Sequence, residues 1–189
     1  MISAILLAAG QSKRMNGENK LTKKIQGIPL IKHSVKNILL SSIDELIIVL
    51  GYQSEIIKKL IDKNKRIKFI FNKNYESGMA SSIKIGIDNL SPKTQAFFIC
   101  LGDMPMVNKN IYNLLIKSKN KKEIIVPYYN GQQGNPILFS ATFKDKIRTV
   151  EGDSGAKKII ATNKDKILIC DTNDINVTKD YNTKDNFSF

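Results

Sequence analysis

Short apolar runs alternate along this chain with segments in which apolar residues recur every three or four positions. The runs are rich in β-branched and aromatic side chains, as in buried strands, and occupy residues 2–8, 46–50, 67–71, 96–101 and 167–170. Helical spacing is found at residues 29–40, 56–61, 83–90 and 111–115, and again after residue 156. Residues 171–189, after the last run, are expected to form a polar tail. Strands that alternate with helices in this way predict a mostly parallel sheet with helices on both faces.

The first strand leads into an unusual stretch of small and basic residues. The apolar run ends at Ala8, Ala9 and Gly10, and the cations Arg14 and Lys20 follow within ten residues. A strand that ends on small side chains leaves the following backbone N–H groups uncovered, so a phosphate can approach them while nearby cations neutralise its charge. This stretch therefore predicts a phosphate-binding loop.

Four loops follow predicted strands or begin predicted helices, at residues 10–20, 78–82, 102–105 and 131–136. In sheets of this kind, ligands bind at the carboxyl ends of the strands, near a change in strand order. Asn130 and Gly131 form a strong turn signal, which predicts a hairpin between the apolar runs at 124–127 and 136–139.

Asp103 follows the most apolar strand in the middle of the chain. A carboxylate at a strand end that faces bound phosphates can hold Mg²⁺, which takes one or two carboxylates together with phosphate oxygens and water. Arg14 and Lys20 would then offset the negative charge that builds on the phosphates in a transition state. The alternative interpretation of Asp103 is a turn residue after Gly102.

Composition narrows the class of protein. A chain of 189 residues with 42% hydrophobic content suits one α/β domain over residues 1–189. Its net charge of +13 favours anionic partners such as nucleotides, although a solvated lysine surface is an equally good interpretation. The lysine groups lack interleaved aromatic residues, so we do not expect nucleic-acid binding.

Several kinds of chemistry are disfavoured by inspection. The sequence contains no P-loop, no dinucleotide fingerprint and no Ser/His hydrolase motif. Its single histidine, His33, falls within a predicted helix, and we interpret it as a surface residue or as a core residue whose ring is hydrogen-bonded. Cys100 and Cys170 end apolar runs without metal-ligand spacing and are interpreted as reduced core residues. No run reaches membrane-spanning length and no secretory signal is apparent, so we expect a cytoplasmic enzyme without a membrane partner.

Ordered motifs give the chain a family resemblance. Residues 6–15 (LLAAGQSKRM), Lys20, residues 78–82 (GMASS) and residues 102–105 (GDMP) resemble the MobA-like nucleotidyltransferases. Further matches at residues 131–139, 152–156 and 174–181 are similar to the molybdenum cofactor cytidylyltransferase branch, so the resemblance spans nearly the whole chain. It implies a three-layer α/β/α, Rossmann-like fold of the nucleotide-diphospho-sugar transferase type.

The resemblance also implies a reaction and a set of residues for it. A phosphate of the acceptor attacks the α-phosphate of an NTP, Mg²⁺ is the cofactor, and pyrophosphate leaves. The acceptor would be the molybdopterin cofactor, with a molybdenum hydroxylase receiving the product. By position, the implied catalytic residues are Arg14, Lys20 and Asp103; nucleotide contacts are Leu7, Ala8, Ala9, Gly10, Arg14, Lys20, Gly78, Ser81 and Ser82; acceptor contacts are Gly134, Asn135, Pro136 and Asp153; and metal ligands are Asp103 and Asp174.

Ala9 is the residue that bears on the choice of nucleotide. The Leu-Ala-Ala-Gly form resembles the branch that uses CTP, whereas the guanylyltransferase branch has a second glycine at this position. CTP is therefore the expected nucleotide.

The chain also departs from the branch at its acceptor side. Asn135 replaces a frequent histidine, and Asn176 and Val177 replace a frequent Asp-Thr pair. Asp174 could act as the second metal ligand or simply as a solvated, turn-forming acid. Two other functions stay open: the same transfer to another phosphorylated acceptor, such as a sugar phosphate or a phosphorylated alcohol, and a non-catalytic cofactor-binding accessory role.

Overall fold

A computed structural model describes residues 1–12, 18–152 and 156–182 of the protein. The strands are β1 Ile2–Ala8, β2 Lys24–Ile25, β3 Ile28–Pro29, β4 Glu45–Leu50, β5 Ile67–Phe71, β6 Ala96–Leu101, β7 Ile124–Tyr129, β8 Gln132–Gln133, β9 Ile137–Ser140 and β10 Ile167–Asp171. The helices are α1 Leu30–Leu39, α2 Ser54–Leu60, α3 Met79–Asp88, α4 Lys109–Ser118, α5 Lys144–Arg148 and α6 Lys157–Ala161.

The main sheet has the strand order β10-β7-β9-β6-β1-β4-β5, and β8 pairs with β7 beside this path. Strand β1 lies parallel between β4 and β6, while β9 is antiparallel to both β6 and β7. The chain runs outward from β1 through β4 to β5 and then returns to the other side of β1 as β6. The strand order therefore changes between β1 and β6, which is where a ligand site is expected in an open sheet.

Each face of the sheet has its own apolar core because side chains alternate along the strands. Ala4 and Leu6 of β1 face the core formed with α1, α2 and α4. Ile5 points the other way, into the core formed with α3, α5 and α6. Helices thus cover both faces, which confirms the predicted three-layer α/β/α fold.

Most of the predicted elements are confirmed. The runs at 46–50, 67–71 and 96–101 are β4, β5 and β6, and the Asn130–Gly131 turn joins β7 to β8 with φ angles of 46° and 76°. Three features have no counterpart in the predictions: the β2–β3 hairpin, helix α5, and the burial of Val177 within a segment expected to be a polar tail.

The cysteines and the histidine fit their predicted roles in part. Cys100 is buried and free, and burial raises the pKa of its thiol to about 12. Cys170 is also free but only half-buried, so it lies at the margin of the core. His33 is half-buried, and its Nε2 forms a hydrogen bond with the carbonyl oxygen of Ile25 at 3.1 Å. Its ring therefore has a hydrogen-bond partner within the protein. No helix among the described residues is both long and apolar enough to span a membrane.

The contact between α3 and β1 gives a prediction about packing. A Cβ atom at Gly86 would lie 2.5 Å from Cγ2 of Ile5. Overpacking of this kind costs about 1–3 kcal/mol, against a gain of at most about 1 kcal/mol for alanine over glycine in a helix. Gly86→Ala should therefore lower the free energy of unfolding by up to about 2 kcal/mol in urea denaturation.

A second substitution tests the cause of that loss. Ile5→Leu removes the Cγ2 methyl group and should recover part of the loss in the Gly86→Ala background, because contacting residues are not additive. Gly10→Ala is the control, since nothing lies within 4 Å of a Cβ at Gly10. A Gly86→Ala protein as stable as the wild type would contradict the packing argument.

Candidate active site

A cleft of about 300 Å³ opens at the carboxyl ends of β1 and β6, beside the first turn of α3. The predicted nucleotide and metal residues that line it are Leu7, Ala8, Ala9, Gly10, Lys20, Gly78, Ser82 and Asp103. The structure thus brings together residues that are up to 96 positions apart in the sequence, from Leu7 to Asp103. Arg14 and Asp153 lie outside the described residues.

Gly102 sets the distance between the two strand ends. Its backbone N–H donates to the carbonyl oxygen of Leu7 at 3.0 Å, and a Cβ at Gly102 would lie 2.8 Å from that same oxygen. A side chain at this position would push the strands apart, so the close approach requires glycine. Asp103, one residue later, is consequently held against the loop that follows β1.

Lys20 and Asp103 form the central contact of the cleft. Lys20 Nζ lies 2.5 Å from Asp103 Oδ2, and the two side chains are 19% and 15% exposed. The short 3₁₀ turn at Lys20–Thr22 presents the lysine: Asn19 caps the turn by accepting from the backbone N–H of Leu21. The backbone N–H of Lys20 donates to Ser12 Oγ at 3.1 Å, which fixes the turn against the loop.

Ala9 lies on the cleft wall in a tightly packed setting. It is 5% exposed, and its carbonyl oxygen accepts from the backbone N–H of Tyr52 at 3.1 Å. A Cβ at Gly51 would lie 2.8 Å from Ala9 Cβ and 2.6 Å from Tyr75 Cβ. Glycine at position 51 is therefore what lets the Ala9 methyl group and the Tyr75 ring share this wall.

The two predicted serines of α3 have different surroundings. Asn72 Nδ2 donates to both hydroxyls, at 2.8 Å for Ser81 and 3.0 Å for Ser82. Ser82 lines the cleft, whereas the Ser81 hydroxyl is within donating distance of the carbonyl oxygens of Asn74 and Gly78. Ser81 thus holds the start of α3 in place, and a direct contact from Ser81 to a nucleotide stays a prediction.

One polar pair at the cleft rim was missed by the sequence reasoning. Gln11 Nε2 donates to Glu76 Oε1 at 2.8 Å, and both residues line the cleft. The pair joins the loop after β1 to the 3₁₀ turn at Tyr75–Ser77. The two residues are 65 positions apart, so no local pattern indicates the contact.

The predicted acceptor residues lie beside the C-terminal segment. Gly134 donates its backbone N–H to the carbonyl oxygen of Pro127, and Asn135 donates to that of Val177, each at 2.8 Å. Further along, the backbone N–H of Tyr181 donates to the carbonyl oxygen of Asp103 at 2.9 Å. The C-terminal segment therefore links the predicted acceptor loop to the cleft.

Asp174 is engaged as a helix cap. Its Oδ1 accepts from the backbone N–H and the side-chain amide of Asn176, at 2.9 and 2.8 Å, and its Oδ2 accepts from Asn108 Nδ2 at 3.2 Å. These bonds fit the interpretation of a turn-forming acid, and a metal-binding role for Asp174 stays a prediction. Across residues 1–12, 18–152 and 156–182, no group of three or more His, Cys, Asp or Glu side chains is arranged to hold a metal ion.

The oxygen donors at the cleft nevertheless suit a hard cation that is shared with a nucleotide. Asp103 supplies a carboxylate, and the side-chain oxygen of Asn182 lies 2.5 Å from the same Lys20 Nζ that contacts Asp103. A single carboxylate is sufficient when phosphate oxygens and water complete the coordination of Mg²⁺.

Comparison with known proteins places these features in context. The MobA-like NTP transferase domain matches residues 4–167. A probable molybdenum cofactor guanylyltransferase of Methanosarcina acetivorans is 30% identical over 153 residues, covering 79% of this chain and 67% of that protein. The molybdenum cofactor cytidylyltransferase of Escherichia coli is 30% identical over 139 residues, covering 74% and 70%.

A solved structure supports the fold. The Rv0371C complex with manganese from Mycobacterium tuberculosis superposes with a TM-score of 0.80, covering 98% of this chain and 95% of that one. At 21% sequence identity this likeness concerns the three-layer fold alone.

Docking of the C-terminal segment gives a prediction at Gly134. A Cβ there would lie 2.5 Å from the Val177 carbonyl oxygen, which also accepts from Asn135. Gly134→Ala should loosen the segment and speed exchange of the Tyr181 amide hydrogen by roughly ten- to a hundredfold, since overpacking costs about 1–3 kcal/mol. Hydrogen exchange measured by NMR provides the test. The exposed Gln132→Ala is the control, and unchanged Tyr181 protection in Gly134→Ala would contradict the prediction.

Proposed function

The chain belongs to the MobA-like NTP transferase family and is a nucleotidyltransferase, and from this premise we propose that it transfers CMP from CTP to the phosphate of the molybdopterin cofactor. Pyrophosphate would leave, and a molybdenum hydroxylase would receive the product. The observation that carries the proposal is the meeting of Lys20 and Asp103, 2.5 Å apart, at the end of a strand that terminates in small residues.

The loop after β1 supplies what the nucleotide phosphates need. The small residues Ala8, Ala9 and Gly10 line the cleft and allow phosphate oxygens to approach the backbone. Lys20 would donate to those oxygens with its ammonium group, and Arg14 would add a second cation by its position in the family motif. Charge that develops on the departing pyrophosphate is thereby offset by groups already in place.

Asp103 would hold the divalent cation with its carboxylate. When bound, Mg²⁺ polarises phosphate oxygens and neutralises the leaving group. The proposal of Mg²⁺ is supported by the oxygen donors of the cleft. The Mycobacterium tuberculosis protein of the same fold forms a complex with another divalent metal, manganese. Within the protein, Lys20 balances the carboxylate charge of Asp103 until phosphates draw the ammonium group toward themselves.

The choice of CTP rests on Ala9. Its methyl group is packed beside Gly51 and Tyr75 on the cleft wall. We infer that it would limit the space for the second ring of a purine. The two relatives named above, a guanylyltransferase and a cytidylyltransferase, are each 30% identical to this chain, so overall identity favours neither nucleotide. A single methyl group in a pocket is typically enough to discriminate roughly 10–200-fold.

The acceptor side is assigned to Gly134, Asn135, Pro136 and Asp153. A phosphorylated group delivered there would attack the α-phosphate in line with the departing pyrophosphate. Asn135 offers a side-chain amide where related sequences often carry histidine, so it can orient an acceptor by hydrogen bonding but cannot titrate near neutral pH.

Asp103 gives the direct test of the reaction. Purified protein incubated with Mg²⁺, the molybdopterin cofactor and each of the four NTPs should release pyrophosphate best with CTP. Asp103→Asn and Asp103→Ala should reduce the rate by roughly 10²–10³-fold, because transition-state charge loses its support. Asp62→Asn, at an exposed ion pair with Lys32, is the matched control. Equal rates for Asp103→Ala and wild type would exclude this mechanism. Faster release of pyrophosphate with a sugar phosphate than with the molybdopterin cofactor would show that the acceptor is a sugar phosphate.

Ala9 gives the test of nucleotide choice. Ala9→Gly should lower the ratio of kcat/KM for CTP over GTP by about tenfold or more, because removing the methyl group opens room for a purine. Ala4→Gly removes a buried methyl group from β1, on the face of the sheet that packs against α1 and away from the cleft, and should leave the ratio unchanged. A ratio insensitive to residue 9 would contradict the role of Ala9.

A further inference from the structure

The last described residues of the chain form a strap across the carboxyl edge of the sheet. This strap, residues 177–182, begins at Val177, which is fully buried and accepts from the backbone N–H of Asn135. It continues to Tyr181, whose backbone N–H donates to the Asp103 carbonyl oxygen at 2.9 Å. It ends at Asn182, whose Oδ1 accepts from Lys20 Nζ at 2.5 Å. The segment expected to be a polar tail thus reaches the two residues of the Lys20–Asp103 contact.

We propose that Asn182 is a positioning residue for nucleotidyl transfer, holding the ammonium group of Lys20 in the cleft while that group moves from Asp103 to the phosphates of the nucleotide. The inference rests on the proposed function, because it concerns how Lys20 meets an NTP.

The donor geometry of the lysine supports this role. An ammonium group has three N–H donors, and Asp103 Oδ2 and Asn182 Oδ1 each lie 2.5 Å from Lys20 Nζ. If Asp103 turns to a cation, the lysine loses one of these two partners. Asn182 remains, so the flexible four-carbon side chain stays directed into the cleft and loses less conformational freedom when a phosphate arrives.

The side chain of asparagine is neutral, and this affects how Lys20 can bind phosphate. An amide oxygen accepts a hydrogen bond from the ammonium group without cancelling its positive charge. A carboxylate at position 182 would form a second ion pair with Lys20 and would compete with phosphate oxygens for it. The side chain at position 182 should therefore affect nucleotide affinity through Lys20 and not through the shape of the cleft.

The strap does not depend on Asn182 for its own docking. It is attached through main-chain hydrogen bonds at Val177 and Tyr181, and the Val177 side chain is buried in the core. Substitution of Asn182 should consequently leave the strap in place while it removes the contact with Lys20.

The first experiment measures binding of CTP in the presence of Mg²⁺ and without acceptor, by titration calorimetry. Asn182→Ala should weaken binding roughly tenfold, as expected for loss of a hydrogen bond to a charged group, and Asn182→Asp should weaken it further. Asn120→Ala is the matched control, because Asn120 Oδ1 accepts from Lys119 Nζ at 3.3 Å on the exposed surface away from the cleft. This control should bind CTP as the wild type does.

A double substitution separates positioning from a direct contact. In the Lys20→Ala background, Asn182→Ala should cause no further loss of CTP affinity, because the group that it positions is already absent. An equal loss in both backgrounds would overturn the proposal, as would wild-type affinity in the single Asn182→Ala protein.

The second experiment needs no nucleotide. The Lys20 ammonium resonance, assigned by its loss in Lys20→Ala, should be observable in ¹H–¹⁵N spectra of the wild type and of Asn120→Ala, and broadened by solvent exchange in Asn182→Ala. An unchanged resonance in Asn182→Ala would overturn the proposal. A wild-type protein that binds none of the four NTPs would instead refute the proposed function, while this spectrum still reports on the contact.

Discussion

The close approach of β1 and β6 is the constraint on which the cleft depends. The hydrogen bond from Gly102 to the carbonyl oxygen of Leu7 continues the parallel pairing, in which Leu7 is opposite Leu101, beyond the last residue of β6. This hydrogen bond holds the loop after β1 next to Asp103, the carboxylate that follows β6. The order of strands changes between β1 and β6, which is where loops are expected to enclose a cleft in an open sheet.

The ion pair in that cleft is less exposed to solvent than the ion pairs on the surface of the described residues. The Lys32–Asp62 and Lys166–Glu123 pairs are more than one-third exposed on the cation side, whereas Lys20 and Asp103 are each less than one-fifth exposed. Reduced solvent exposure strengthens their attraction relative to a surface pair and keeps both groups oriented. In the part of the chain that the structure describes, no buried side-chain polar atom lacks a hydrogen-bond partner, so this polar centre does not leave unsatisfied groups behind.

Local sequence patterns predicted the features whose causes are local. Helical spacing located α1, β-branched runs located β4, and the Asn130–Gly131 pair located the β7–β8 turn because both residues adopt positive φ. The sequence predicts the meeting of Lys20 with Asp103 indirectly. Each residue follows a predicted parallel strand, and the carboxyl ends of parallel strands lie at the same edge of a sheet.

Other features depend on contacts between distant residues that leave no periodic signal. The contact from Lys20 to Asn182 spans 162 positions, and Gln11 reaches Glu76 across 65. The strands β2 and β3 are two residues long, too short for an alternating pattern to be recognised. Val177 lies between the polar residues Asn176 and Thr178, so no apolar run indicates its burial. Its side chain packs in the space that Gly134 leaves open.

Main-chain hydrogen bonds connect the two halves of the sheet beside the cleft. The parallel half, β1 with β4, β5 and β6, carries the loop and the carboxylate, while the antiparallel pairs of β9 carry the connection that contains Gly134 and Asn135. The strap contacts both halves, through Val177 at one end and Tyr181 at the other. Main-chain hydrogen bonds through the strap therefore connect the Asn135 loop to the backbone of Asp103. The predicted acceptor residues and the predicted phosphate-binding residues are thus attached to one strap, and the proposed transfer would need both sets to be held in a fixed relative position.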